Sequence, residues 1–273
     1  MNGTSRILIA LVACILVATE DASGRLLDNN CATIDPNPIY VKIDGGKDAD
    51  IFSNPWMVRV MVNCTAICGG SLITSRFVLT AGHCVSTSHM QVRLGEFDTR
   101  YPSKERAFTL DVDKKIVHRN YRKNSHDIGL LRLIQTVMFS DYMRPICILI
   151  DEPIGPYSIF NVTGWGKNSR GETPATLQIA TLSQTDRYKC IRKFQLEDNM
   201  DWICAGSETS DACEGDSGGP LSALRIYQGQ RKIFQFGVIS GGLGTCNGLG
   251  FYANVAYFNN WIAGVIQNFK DFK

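Results

Sequence analysis

One stretch of the chain concentrates residues suited to nucleophilic chemistry: Ser210-Asp211-Ala212-Cys213-Glu214-Gly215-Asp216-Ser217-Gly218-Gly219-Pro220. Ser217 stands between an acid and two glycines, a few residues after a cysteine. Glycines beside a serine allow backbone geometry that other residues resist, so N–H groups can point into a pocket. A serine hydroxyl is a weak nucleophile until a base takes its proton, and that base needs an orienting acid. The chain has 4 histidines, so candidate bases are few. One of them, His83, lies in Leu79-Thr80-Ala81-Gly82-His83-Cys84, and Asp127 opens the apolar run Asp127-Ile128-Gly129-Leu130-Leu131. Each residue alone also has a plain structural reading, as a turn serine, a packed histidine and a strand-end cap. Their joint occurrence favours chemistry.

Such a set needs a rigid scaffold. Short strand-like runs punctuated by Gly, Asn and Asp span 56–62, 77–80, 90–94, 108–112 and 128–133. A second set spans 158–163, 177–182, 233–239 and 251–255. This rhythm predicts β-barrels. The one long helix is predicted at the end, where Val255, Phe258, Trp261, Ile262, Val265, Ile266 and Phe269 fall at helical spacing as a core-packing stripe. At 273 residues, with 44% hydrophobic and 20% charged, the chain is long and apolar enough for one large or two small β-rich domains. A net charge of +2 is too small to suggest nucleic acid or an anionic membrane surface as a partner.

Arg6 precedes an apolar run over 7–18, followed by small and polar residues through Gly24. The pattern is that of a secretory signal, too short to span a bilayer, with cleavage expected between Ala18 and Gly24. A secreted, extracellular product follows. Its cysteines then read as disulfides. Cys14 leaves with the signal, so nine of the 10 remain, and spacing alone does not pair them.

The three segments carrying His83, Asp127 and Ser217, in that order, resemble those of the chymotrypsin/trypsin-like serine proteases. Cys68-Gly69-Gly70-Ser71-Leu72-Ile73, Val162-Thr163-Gly164-Trp165-Gly166 and Ser240-Gly241-Gly242 add to the resemblance, which runs from about Ile43 to the C-terminus. Among such proteins the chain is similar to arthropod extracellular cascade proteases that lack a clip module. The resemblance implies an all-β fold of two six-stranded antiparallel β-barrels with a C-terminal helix. It divides the chain into a signal (1–22), a propeptide (23–42) and a protease domain (43–273).

The resemblance also implies roles. Ser217 would attack a peptide carbonyl, His83 would act as base and then acid, and Asp127 would orient and stabilise the imidazole. The N–H groups of Gly215 and Ser217 would form the oxyanion hole. Asp211 would lie at the base of the primary pocket, with Ala212, Ser240, Gly242 and Gly250 among its substrate-binding residues. Cutting after Lys42 would free the amino group of Ile43 to pair with Asp216 and build the pocket. A histidine base must be neutral, so activity is expected to fall below about pH 7.

Four pairings are implied: Cys68–Cys84, Cys190–Cys204, Cys213–Cys246, and Cys31–Cys147 as a tether for the propeptide. Cys64 is left over, and Phe160 and Ala223 stand where another family bridge would be. Departures from the family pattern are Asp44 after the activation residue, Gly82 and Gly129 where alanine is usual, and Gly241 where an aromatic commonly lines the cleft. The two substituted glycines are expected to add backbone freedom, and Gly241 to thin the cleft wall. Glu96 opens a loop that binds calcium in some relatives, but Ser103 and Arg106 replace acids there, so no metal is expected, and no cofactor. Asn63 and Asn161 head formal glycosylation sequons, the second inside a predicted strand.

The expected function is a secreted zymogen of a serine endopeptidase cutting after Arg and Lys. Its partners would be protein substrates, an upstream activating protease and serpin-type inhibitors. The alternative is a non-proteolytic homologue that serves an extracellular cascade as a cofactor or binding protein. Such homologues usually lack one of the three site residues, and this chain has all of them.

Overall fold

The computed structural model describes residues 24–32, 47–49, 52–101, 106–151, 157–168, 170–207, 215–242 and 248–269. The signal, the activation residues Lys42 and Ile43, and Asp44, Ser103, Asp211, Ala212, Cys213 and Cys246 lie outside them. Two short strands, β1 (Arg25–Leu26) and β2 (Lys47–Asp48), precede the main body. Then come β3 (Met57–Val62), β4 (Thr65–Thr74), β5 (Phe77–Thr80), β6 (Met90–Leu94), β7 (Phe108–Val117) and β8 (Gly129–Leu133). They close an antiparallel barrel in the order β3-β4-β5-β8-β7-β6.

After β9 (Leu149–Ile150), a second set follows: β10 (Ile159–Gly164), β11 (Gln178–Gln184), β12 (Trp202–Ser207), β13 (Pro220–Tyr227), β14 (Gln230–Gly242) and β15 (Gly248–Asn254). Their order is β10-β13-β14-β15-β12-β11, and β11 pairs back to β10, which closes the second antiparallel barrel. A short helix α1 (Arg187–Phe194) and the terminal helix α2 (Val255–Asn268) complete the molecule. The fold is the two-barrel, all-β architecture that the family resemblance implies.

Local chemistry accounts for the turns and caps. Asn63 and Cys64 both have positive φ, 47° and 65°, and form the two-residue turn between β3 and β4 that such hairpins favour. The Asn254 side chain accepts from the N–H of Ala256 and caps α2. Phe258, Ile262 and Ile266 of that helix are buried in one cluster with Val58, Leu130 and Leu131 of the first barrel. Each such side chain contributes about 2 kcal/mol by burial. Phe160 and Ala223 share a second buried cluster, where the Phe160 ring packs 5.4 Å from Phe236. A large and a small apolar residue thus fill the place of the absent bridge.

Cys31–Cys147, Cys68–Cys84 and Cys190–Cys204 are bonded, and Cys64 is a free, exposed thiol. Residues 24–32 lie on the body as part of it. β1 pairs antiparallel with β9, Leu27 N–H donates to the Ile148 carbonyl at 2.9 Å, and Ala32 N–H donates to Pro145 at 2.8 Å. The barrels meet through polar contacts as well as core. Ser71 Oγ donates to Gln235 Oε1 at 2.7 Å, with both residues fully buried.

Candidate active site

The first barrel supplies one half of the site. β5 is a wholly buried run that ends in a 3-10 turn, Gly82–Cys84, which carries His83. The Cys68–Cys84 bond pins that turn to β4. Thr80 pairs with Gly129 across β5 and β8, so the residues just before β8 arrive beside the turn. Asp127 is among them. His83 donates its backbone N–H to Asp127 Oδ1 at 2.8 Å, and its ring Nδ1 lies 2.7 Å from Oδ2. Ser240, on β14 of the second barrel, donates its hydroxyl to the same Oδ2. Asp127 is 5% exposed, and a buried carboxylate needs such donors. A carboxylate at Nδ1 fixes the ring proton there and leaves Nε2 as the basic nitrogen.

The second barrel supplies the other half. Ser217 stands just before β13, and its carbonyl accepts from the N–H of Gly69 at 2.8 Å. The same carbonyl lies 3.6 Å from Sγ of Cys84, the neighbour of His83. Gly218 has φ +84°, and a Cβ there would lie 2.2 Å from Thr80 Oγ1 and 2.5 Å from the Gly69 carbonyl. Only glycine lets the serine turn press this closely on the first barrel. Gly215, φ +99°, is the other left-handed glycine of the turn. Asp216 points its carboxylate at the segment after β10, where Oδ1 accepts from Gly166 N–H at 2.7 Å. A Cβ on Gly164 would sit 1.9 Å from that oxygen, so the strand end is shaped around Asp216.

Two barrels that bring a histidine–carboxylate pair against a serine turn define the trypsin-like class of fold. A family model described as Trypsin matches residues 43–262. The chain is 30% identical to Serine protease grass of Drosophila melanogaster over 262 residues, covering 85% of this chain and 70% of the relative. It is 33% identical to the Spaetzle-processing enzyme of Drosophila melanogaster over 294 residues, covering 90% and 71%. The Phenoloxidase-activating enzyme of Bombyx mori is 31% identical over 273 residues, covering 83% of this chain and 61% of that longer relative. The chain belongs to the trypsin family of serine proteases.

Of the residues singled out in the sequence, His83, Asp127, Ser217, Gly215, Asp216 and Ser240 gather where the barrels meet. Gly242 and Gly250 pair directly across β14 and β15. Asp211, Ala212 and the Cys213–Cys246 pair lie outside the described residues, as do Lys42 and Ile43. Among the described residues, the one group of ligand-type side chains close enough to share an ion is Cys68, His83 and Cys84, within 4.8 Å. Two of these are already bonded to each other.

Several residues gain a physical reason that sequence reasoning did not give them. Gly82 and Gly129 both stand where space for a side chain is tight. A Cβ on Gly82 would lie 3.1 Å from both Asp127 Oδ1 and the Tyr121 ring, and one on Gly129 would lie 2.7 Å from Val85 Cγ2. Burial and the neighbouring Asp127 carboxylate push the Tyr121 phenol above its ordinary range. At Gly241 a Cβ would meet the Phe251 ring at 2.6 Å. The buried Phe251 ring from β15 occupies the space beside Gly241. Glu96, 3% exposed, is held by the guanidinium groups of Arg59 and Arg93, whose positive charge occupies the carboxylate directly.

Proposed function

We propose that the chain is a secreted serine endopeptidase made as a zymogen, with residues 1–22 as signal and 23–42 as propeptide. The observation that carries this reading is the His83–Asp127 pair, 2.7 Å apart, on a turn whose next residue, Cys84, lies against the Ser217 carbonyl. In this reading Ser217 attacks the carbonyl of the bond to be cut. His83 takes the serine proton at Nε2 and later passes it to the leaving amine, and Asp127 stabilises the imidazolium between these steps. The N–H groups of Gly215 and Ser217 bind the oxyanion, each donor contributing roughly 10²–10³ in rate.

Cleavage after Lys42 frees the amino group of Ile43, which pairs with Asp216. The inward position of that carboxylate against Gly166 supports the assignment. The Cys31–Cys147 bond and the β1–β9 pairing keep the propeptide attached after the cut. A tethered propeptide, together with relatives named for processing or activating other proteins, favours limited proteolysis within an extracellular cascade. An upstream protease would activate the chain and serpin-type inhibitors would control it.

Asp211 at the base of the primary pocket selects Arg and Lys, with Gly242 and Gly250 leaving room for a long side chain. An enclosed carboxylate is stable only with a cationic partner. Ala212 offers no hydroxyl to an ammonium group, so the bidentate guanidinium of Arg is the better fit. Profiling the activated protein on a peptide library should show cleavage after Arg above Lys, with large apolar residues poor. Asp211→Ser should lose Arg cleavage by roughly a hundredfold or more. Preference for Phe or Tyr, or unchanged Arg cleavage in that variant, would refute the assignment.

A further inference from the structure

Asp127 is delivered to His83 by an unusual turn. Arg122 and Ser125 bridge each other through both backbone N–H groups, at 3.0 and 3.1 Å, to make a tight hairpin. Two non-glycine residues of this segment are left-handed, Asn124 at φ 66° and His126 at φ 51°. Side-chain-bearing residues hold such backbone only when their surroundings over-determine it. Here the determining group comes from the other barrel. Asp201, just before β12, has a side chain 1% exposed. Its Oδ2 accepts from the N–H of His126 at 2.7 Å and from Ser125 Oγ at 3.0 Å, and lies 3.2 Å from His126 Nδ1.

Asp201 is itself fixed, since its carbonyl accepts from Asn254 N–H at 2.9 Å. On the far side the His126 ring stacks on His118, centroids 5.0 Å apart, and meets Phe258 edge-on at 5.6 Å. The residue directly before Asp127 is thus gripped on both sides.

We propose that Asp201 is a positioning residue for Asp127. This rests on the serine endopeptidase reading. One barrel carries Ser217 and the other carries His83 and Asp127, so the distance between nucleophile and base depends on how the barrels register at this point. Ser240 holds the Asp127 carboxylate from the second barrel, and Asp201 holds the backbone one residue earlier from the same barrel. Together they tie the acid to the half of the molecule that bears the nucleophile. Asp201 is closed off from solvent and so has no surface to offer a substrate. Its loss therefore disturbs the reacting geometry and leaves substrate binding alone.

The test uses protein cut after Lys42, an Arg-containing peptide substrate and a serine-directed phosphonate. Asp201→Ala should lower kcat on the order of ten- to a hundredfold, as small misplacements of catalytic groups do, with KM unchanged. Asp201→Asn keeps an oxygen for the His126 N–H and should recover most of that loss. A general structural role would not produce this split or this rescue. Should Asp201→Ala fail to fold, Ser125→Ala carries the test, with a smaller fall in kcat at unchanged KM supporting the proposal. Unchanged kcat in the folded variants, a rise in KM in place of a fall in kcat, or an Asn variant as impaired as the Ala variant would overturn it. Unaltered protein that neither cuts the peptide nor takes the phosphonate would instead sink the endopeptidase reading.

Discussion

Asp127 accepts three hydrogen bonds, two from His83 and one from the Ser240 hydroxyl. The sequence suggested Ser240 only as a lining residue of the substrate cleft, and the two roles predict different kinetics. If the bond to Asp127 dominates, Ser240→Ala should lower kcat by roughly tenfold, the worth of one charge-assisted hydrogen bond, and leave KM nearly constant. Steady-state kinetics on the activated protein decide this, and a rise in KM at constant kcat would return Ser240 to the cleft wall. The His83, Asp127 and Ser217 segments were legible in the sequence because the chemistry demands those residue types with particular neighbours. The Ser240 bond was not. The pairing of β14 with β15 shifts register between Ile239 and Gly241, and the resulting bulge leaves Ser240 out of the ladder and re-aims its side chain. A bulge of this kind depends on the partner strand, so no local pattern announces it. The close fit of the Phe251 ring against Gly241 is equally non-local, because the ring and the space it fills come from different strands.

At the scale of elements, the segment from 118 to 128 is a joint between β7, β8 and α2. His118 stacks on His126 and lies edge-on to Phe258 and Trp261, both from α2, at 5.2 and 5.1 Å. Burial, and then the neighbouring His126 and Arg119 side chains, hold the His118 pKa below its ordinary 6.5. A depressed folded value means that folding favours the neutral ring. The stability this contributes is complete above about pH 6.5 and is lost as pH falls through the folded value. Denaturant midpoints at pH 7.5 and 5.5 should therefore fall for the unaltered protein, and fall less for His118→Phe, which cannot take a proton. The Asn120 N–H donates to His118 Nδ1, an acceptor that exists only in the neutral ring, so this bond belongs to the same pH-dependent contribution that the variant lacks. Equal falls in the two proteins would contradict the assignment. The helix in this joint was plain from its 3.6-residue stripe, and its packing partners were not, because periodicity identifies a buried face without saying what covers it.

For the whole molecule, nine strand-like runs and one helix point to β-barrels, and the count of two barrels comes from the family resemblance. Among the barrel strands, β4, β12 and β13 carry no such run, nor do the short β1, β2 and β9. β4 holds Gly69 and Gly70 and β12 holds Gly206, residues that weaken any strand signal, while β13 begins on Pro220. Barrel closure supplies the ladder partners that local propensity lacks. Closure also explains why the site lies where it does. His83 and Asp127 belong to one barrel, Ser217 and Ser240 to the other, so the proposed activity depends on the seam between them. The most direct test of this account is reaction of a serine-directed phosphonate with the chain before and after confirmed cleavage at Lys42. The account predicts that Ser217 is labelled only after cleavage and that His83→Ala abolishes the label. An unlabelled Ser217 in the cleaved protein would contradict the proposed activity and favour a non-proteolytic homologue.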